Sequence, residues 1–530
     1  MIHPAILLLL FTVVQVLAAA PARAEPFGAQ RGFDQNLVAD VMSTAFGFMA
    51  PRTLDAVPFQ DLTMWALRGL TTLDPRLQPE LRDGTLRLVA PGRVLLARAP
   101  PAPDDAQGWG EAAAQMARAG WDASEAVRAV GTQGVLQTLF DELFNHLDPY
   151  SRYTDPDAAA ADRARRDGEG GVGIALQLAA HGGWPVLGSV VRDGPAARAG
   201  LRAGTRLLAI DGEPTKGVDL PTLAAMLAGP EGTAVTLRLR LRDGRVQDVT
   251  LARALILPRT VTAERDGDLL VLHVSSFSSD TAARLADALV GGLAGPHRPL
   301  GVVLDLRGNR GGLLREAVVA AETLLAHGLV AATAGRDPAA AHSFVADGSD
   351  LSGGLPVVVL VDGRSASAAE VLAAALADQR RGVVVGSATL GKGLVQTIAP
   401  LPDGGELYIT WSRVLAPFGW PIQGLGVLPQ VCTSMGEDAL RRQMAALAHG
   451  QQPMARALAR HRAARAPVSP AEMLDIRSAC PAAEGRDLDL YAANRLVHDP
   501  IAYDAALIGP PPPPQLARSQ DLTAAPAMRN

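Results

Sequence analysis

From residue 257 to residue 432 the chain alternates two kinds of segment. Short apolar runs ("LLVLHVSSF", "LGVVLDLRG", "LPVVVLVDG" and "GVVVGSA") are separated by stretches with helical spacing such as "DTAARLADALVGGL" and "SAAEVLAAALADQ". Apolar strands alternating with amphipathic helices predict an α/β layered core. Everything else in the chain is organised around that segment.

The whole sequence has 530 residues, more than one ordinary core accommodates, so about three folded units are expected. Residues 30–150 are mostly helical by pattern: "FDQNLVADVMSTAFGFM" and "ASEAVRAVGTQGVLQTLFDELFNHL" space apolar residues near a 3.6 period, with the loop "APPAPDDAQG" between them. From about Gly168 to Ile256 a compact β-rich unit follows, with Gly, Pro and Asp at its joints. After Cys432 the chain turns helical again to about Leu507, then ends in Pro510–Pro514 and a polar tail.

The first residues, "MIHPAILLLLFTVVQVLAAAPARAEPFG", have the form of an export signal, with an apolar run from Ala5 to about Ala20 and the small-x-small site Ala22-Arg23-Ala24. Cleavage after Ala24 is expected, which gives a periplasmic or secreted protein. Cys432 and Cys480 are the only cysteines, and spacing alone does not say whether they pair. A net charge of −5 argues against nucleic-acid binding. The sequence has no zinc-spaced Cys/His cluster and no H-E-x-x-H.

Two motifs are set aside on context. "DGEGGVGI" contains G-x-G-x-x-G, but a charged helical run precedes it and a strand follows, the reverse of a dinucleotide fold. Its glycines suit a loop that offers backbone N–H groups to a carboxylate. There are ten histidines, yet no G-x-S-x-G elbow to go with a histidine-based triad.

Lysine usage is more informative. Of 49 basic residues only Lys216 and Lys392 are lysine. Lys392 sits in the glycine-flanked turn "TLGKGLVQ". A buried lysine can become a neutral base, which arginine cannot. "VDGRSASAAEVLAAALADQ" sets Ser365 and Ser367 where a strand meets a helix N-terminus, suited either to capping or to an oxyanion site. If "KGLVQTI" is a strand, Gln396 shares a face with Lys392 and can orient its amine.

Together these segments resemble the C-terminal processing peptidases (tail-specific proteases) over roughly 145–430. "GGVGI…VVRDGPAARAGLRAGTRLLAIDGEP" is similar to the family's PDZ domain, "VVLDLRGNRGGLL" to its D-L-R-x-N-x-G-G-L segment, and "SASAAEVLAAALADQRRGVVVGSATLGKGLVQ" to its serine–lysine signature. In that signature the serine lies 25 residues before the lysine, which selects Ser367 over Ser365. The resemblance implies an α/β fold, a ClpP/crotonase-like catalytic core with an inserted PDZ domain and helical N- and C-terminal regions. It implies Ser367 as nucleophile, Lys392 as general base and Gln396 as its orienting partner. The oxyanion hole would be the N–H groups of Ala368 and Gly311, with Gly312 as the alternative. Gly171, Gly173 and Ile174 would form the PDZ loop that takes a substrate's C-terminal carboxylate.

The expected layout is a signal peptide at 1–24, a helical region at 25–165, the PDZ domain at 166–256, the peptidase core at 257–432, a helical region at 433–509 and a proline-rich tail at 510–530. Leu390 and Gln430 depart from the family's usual aromatic and aspartate, which bears on specificity more than mechanism. No metal or organic cofactor is implied. The expected partners are proteins with apolar C-terminal tails, an adaptor or lipoprotein activator on the helical flanks, and further copies of the chain. The competing readings are a catalytically inactive PDZ-bearing scaffold and a crotonase-like acyl-CoA enzyme.

Overall fold

The computed structural model describes residues 32–178, 183–294 and 297–507. The expected signal peptide and proline-rich tail lie outside these residues.

The core is a six-stranded sheet in the order Val261–Asp266, Leu269–Val274, Gly301–Asp305, Val357–Val361, Val383–Gly386, Val431–Cys432. The first pair is antiparallel and the others are parallel. Side chains alternate across the sheet. Leu270, Leu272, Val302, Leu304, Val357, Val359 and Val361 point to one face, against helices Thr281–Leu293, Leu314–Glu322 and Ala368–Asp378. Their neighbours Leu269, Val271, Val303, Val358, Leu360, Val383 and Val385 point to the other, where Leu440, Leu447, Leu496 and Tyr503 cover them. A sheet covered on both faces needs continuous apolar strands, which is why these runs lack polar alternation.

The covering helices on the second face, Glu437–Ala448, Asp487–His498 and Pro500–Ala506, belong to the C-terminal region. Removing them would uncover seven buried Val and Leu side chains, a loss on the order of 10 kcal/mol. That is comparable with the whole stability of an ordinary domain. The C-terminal region is therefore part of the core and not an appendage.

The N-terminal region differs in part from the helical expectation. Helices Gln35–Met49, Phe59–Leu73, Ala106–Ala123 and Gly131–Phe144 are accompanied by a three-stranded meander, Gln78–Arg82, Thr85–Ala90 and Arg93–Arg98. Asp83-Gly84 turns the first hairpin, with both residues at positive φ (50° and 65°). The apolar interior of this region, including Met42, Phe46, Trp109 and Phe140, is continuous with Ala399, Leu401, Leu407 and Ile409. Ala399, Leu407 and Ile409 lie on the antiparallel strands Leu394–Pro400 and Glu406–Leu415, directly after Lys392, and Leu401 lies in the turn between them. The N-terminal region thus forms the support beneath that hairpin.

In the sequence the β-rich unit lies between the N-terminal region and the core, with strands in the order Val246–Ala252, Ala234–Arg240, Arg206–Ile210, Val186–Val190, Ile174–Gln177. Its core includes Leu187, Leu207, Leu223, Val235 and Leu237. The helix Pro156–Asp167 connects it to the rest, where Arg163 and Arg166 ion-pair with buried Glu406 at 3.1 Å.

Candidate active site

Ser367 ends the turn that leaves strand Val357–Val361 and begins the buried helix Ala368–Asp378. Its backbone, at φ 57° and ψ −119°, lies in a region that a residue with a side chain rarely occupies. The turn before it is tightly tied. Asp362 Oδ1 accepts the N–H groups of Gly308 (3.0 Å), Arg364 (3.0 Å) and Ser365 (2.9 Å). Buried Ser365 donates its hydroxyl to Leu306 O (2.8 Å) and accepts the Asp362 N–H (3.0 Å). Ser365 is thereby committed to the turn, while Ser367 is partly open to solvent.

Fully buried Glu370, one turn into the helix, holds two loops together. Its Oε2 accepts the main-chain N–H of Ser367 (2.7 Å) and of Lys392 (2.9 Å). Its Oε1 accepts the Gly391 N–H (2.7 Å) and the Thr389 hydroxyl. Burial pushes the Glu370 carboxyl above the usual carboxylate range, and these donors oppose that push. Two oxygens facing four donors suit an ionised carboxylate.

Lys392 is half-buried in the turn before strand Leu394–Pro400. Burial lowers its pKa below that of a free lysine, and the Arg152 charge lowers it further, while Asp148 and Glu370 act in the opposite direction. Lys392 is not on the strand, and a bulge falls between Val395 and Gln396, so the shared face expected for Lys392 and Gln396 does not form. Gln396 Nε2 donates instead to Leu394 O (3.2 Å) and Thr410 Oγ1 (3.1 Å).

The "NRGG" turn lies against the serine. A Cβ on Gly311 (φ 95°) would come within 2.8 Å of Ser367 Cβ and 3.0 Å of Ala368 N. The Gly311 N–H donates to the side chain of buried Asn309 at 2.8 Å, so this amide is occupied. Gly312, at φ 146°, packs against Phe277, whose O would be 2.0 Å from a Cβ there. The Ala368 N–H meets no acceptor among the described residues and lies at the positive end of the helix.

The C-terminal region also reaches this site. Arg477, the last residue of helix Pro470–Arg477, donates to Leu425 O (2.7 Å) and Thr389 O (2.8 Å), two carbonyls beside the lysine turn. Three residues on, Cys480 forms a disulfide with Cys432 at the end of the last core strand, with Cα atoms 5.7 Å apart. In the β-rich unit, Gly171 ends the short strand Glu169–Gly171 and Gly173 takes φ 72°. Ile174 opens the edge strand Ile174–Gln177, beside helix Leu220–Leu227.

Comparison with known proteins agrees with this architecture. The sequence matches peptidase family S41 over residues 268–433 and a PDZ domain over residues 186–241. It is 34% identical over 302 residues to a carboxy-terminal-processing protease of Bartonella bacilliformis, covering 56% of this chain and 69% of that protein. The chain belongs to peptidase family S41. A carboxyl-terminal-processing protease of Synechocystis is 32% identical over 305 residues, 55% of this chain and 69% of its own length. A solved photosystem II D1 C-terminal processing protease aligns over 69% of this chain and 92% of its own, with 27% identity and a TM-score of 0.34. This S41 chain is a serine-type peptidase with a PDZ domain, and its substrates are proteins.

Glu370, Asn309 and Arg477 are not singled out by the sequence. Glu370 had a signal: Ser367-Ala368-Ala369-Glu370 is an S-x-x-E capping pattern. Arg477 had none, since it meets Thr389 across 88 residues of chain.

Proposed function

We propose that this S41 peptidase is exported and cuts protein substrates near their C-termini, with Ser367 as nucleophile and Lys392 as general base. The observation that carries this reading is the pair of loops bearing Ser367 and Lys392 held on the single Glu370 carboxylate. Neutral Lys392 takes the Ser367 proton as the hydroxyl oxygen attacks the peptide carbonyl. The oxyanion is received by the free Ala368 N–H and by the Gly311–Gly312 turn. Gly311 fills that role only after its N–H leaves Asn309; Gly312 is the alternative. The ammonium so formed protonates the leaving nitrogen, and the regenerated amine takes a proton from the water that attacks and releases the acyl group. Gln396 Oε1 has no donor among the described residues and is available to accept from the Lys392 amine when it turns to the serine.

The edge strand at Ile174 and the adjacent helix suit addition of a substrate tail as a further strand, its carboxylate in the Gly171–Gly173 loop. The Cys432–Cys480 disulfide is in keeping with an oxidising compartment and so with export.

The test compares the chain from residue 25 with its Ser367→Ala and Lys392→Arg variants on a loosely folded protein ending in an apolar tail, with products read by intact mass. Cleavage by the parent alone is expected, and it slows when the substrate's C-terminus is amidated. Full-rate cleavage by Lys392→Arg would overturn the assignment of the base.

A further inference from the structure

No hydrogen bond joins the Lys392 amine to Ser367 among the described residues. Lys392 Nζ lies 4.9 Å from the centre of the Tyr150 ring, and the amine makes no hydrogen bond to any other described residue. Tyr150 lies outside the matched peptidase segment, 268–433. Its seat is nonetheless well defined. Asp148 Oδ1 accepts the N–H groups of Tyr150 (2.9 Å) and Ser151 (3.0 Å) and the hydroxyl of Thr410 (2.6 Å). Ser151 Oγ accepts the Thr410 N–H (2.9 Å). The same Thr410 hydroxyl accepts from Gln396. Two segments about 260 residues apart are thus tied together with the ring facing the lysine.

A ring face attracts an ammonium through its quadrupole and has little to offer a neutral amine. The other charged groups around Lys392 are Arg152, Asp148 and Glu370; the hairpin presents uncharged Thr410 and Gln396. Arg152 is held to one side, stacked 3.8 Å from the Tyr408 ring centre and paired with Asp162 at 3.4 Å.

We infer that Tyr150 is a positioning residue for the base: its ring face is a resting site for the Lys392 ammonium, which leaves it for Ser367 on becoming neutral. The inference rests on the Ser367–Lys392 reading above. It makes Tyr150 a setting for the pH at which the enzyme becomes competent, because the ring favours the charged form and opposes the effect of burial.

The two-lysine composition allows a direct test. In a Ser367→Ala background, the full chain is acylated with a small amine reagent across a pH series. Labelling of Lys392 is read by peptide mass spectrometry, with exposed Lys216 as internal reference. Tyr150→Leu should lower the Lys392 midpoint by about 0.5–1.5 pH units. Tyr150→Phe should leave it in place and Tyr150→Trp should raise it. A variant that fails to fold cannot imitate the Leu result, because unfolding removes the burial that lowers the Lys392 pKa and so raises its midpoint; the Trp variant then decides. An unmoved midpoint in folded Leu or in Trp overturns the inference. In the active chain the acid limb of kcat/KM should shift with the labelling midpoint. If labelling shifts and the acid limb does not, the resting site stands and Lys392 is not the base.

Discussion

Ser367 and Lys392 are joined through one atom: Oε2 of Glu370 accepts both main-chain N–H groups, at 2.7 and 2.9 Å. The distance between two loops 25 residues apart in the chain is therefore set by a side chain that takes part in neither proton transfer nor attack. Because Glu370 is buried and uses both oxygens, it acts as a rigid spacer.

Glu370→Gln tests that spacer with almost no change in volume. One end of the amide would point hydrogens at N–H groups that now donate, leaving a buried clash of donors worth about 1–3 kcal/mol. A lower Tm is expected, with kcat reduced about 100-fold from misplacement on the scale of an ångström and KM little changed. Thermal unfolding and steady-state kinetics measure both; an unaltered kcat would show that the tie is dispensable.

The pH dependence follows from Lys392. Its depressed pKa places the change from ammonium to amine below the ordinary lysine value, and only the amine can accept the serine proton. On the acid side, log kcat/KM should rise with pH at a slope near one and then level off. A profile that is flat between about pH 6 and 9 would speak against lysine as the base.

Gly312 is a steric prediction. An alanine there would place its Cβ 2.0 Å from Phe277 O at φ 146°. The backbone strain alone costs about 1–3 kcal/mol, and any relief moves the turn beside Ser367. Gly312→Ala should lose both stability and peptidase activity, read by unfolding and by substrate cleavage. By contrast, Gly291→Ala, in helix Thr281–Leu293 with no positive φ and nothing within 4 Å of a Cβ, should retain activity.

Arg477 and the disulfide form a third support for the lysine turn. Arg477→Met would leave Thr389 O and Leu425 O without their guanidinium partner and should lower kcat more than it lowers Tm. Replacing Cys432 and Cys480 by serine should cost about 2–4 kcal/mol of stability. It should also slow cleavage, since Cys480 anchors the chain three residues beyond Arg477. Activity assayed with and without reductant checks the same link in the parent protein.

Much of the core was legible in the sequence. The four apolar runs became the strands at 269–274, 301–305, 357–361 and 383–386, because each is buried on both faces and needs no partner-specific pattern. The N-terminal meander was hidden because its strands are short and half-exposed, and they lie among long helices whose period dominates the region. The C-terminal helices read as amphipathic segments with no evident role, since amphipathicity shows that a face is buried but not against what.

Local chemistry, then, was determined by the sequence itself: a lone lysine between glycines, a serine at a helix start, and the capping glutamate three residues beyond it. Those features depend on neighbours within one turn of chain. The tertiary structure alone decided that Ser365 bonds Leu306, that Gln396 bonds Thr410, that Tyr150 faces the lysine and that Arg477 braces its turn. These contacts join residues from 14 to more than 200 positions apart. Such contacts depend on how layers pack around a shared core, and no local periodicity encodes that.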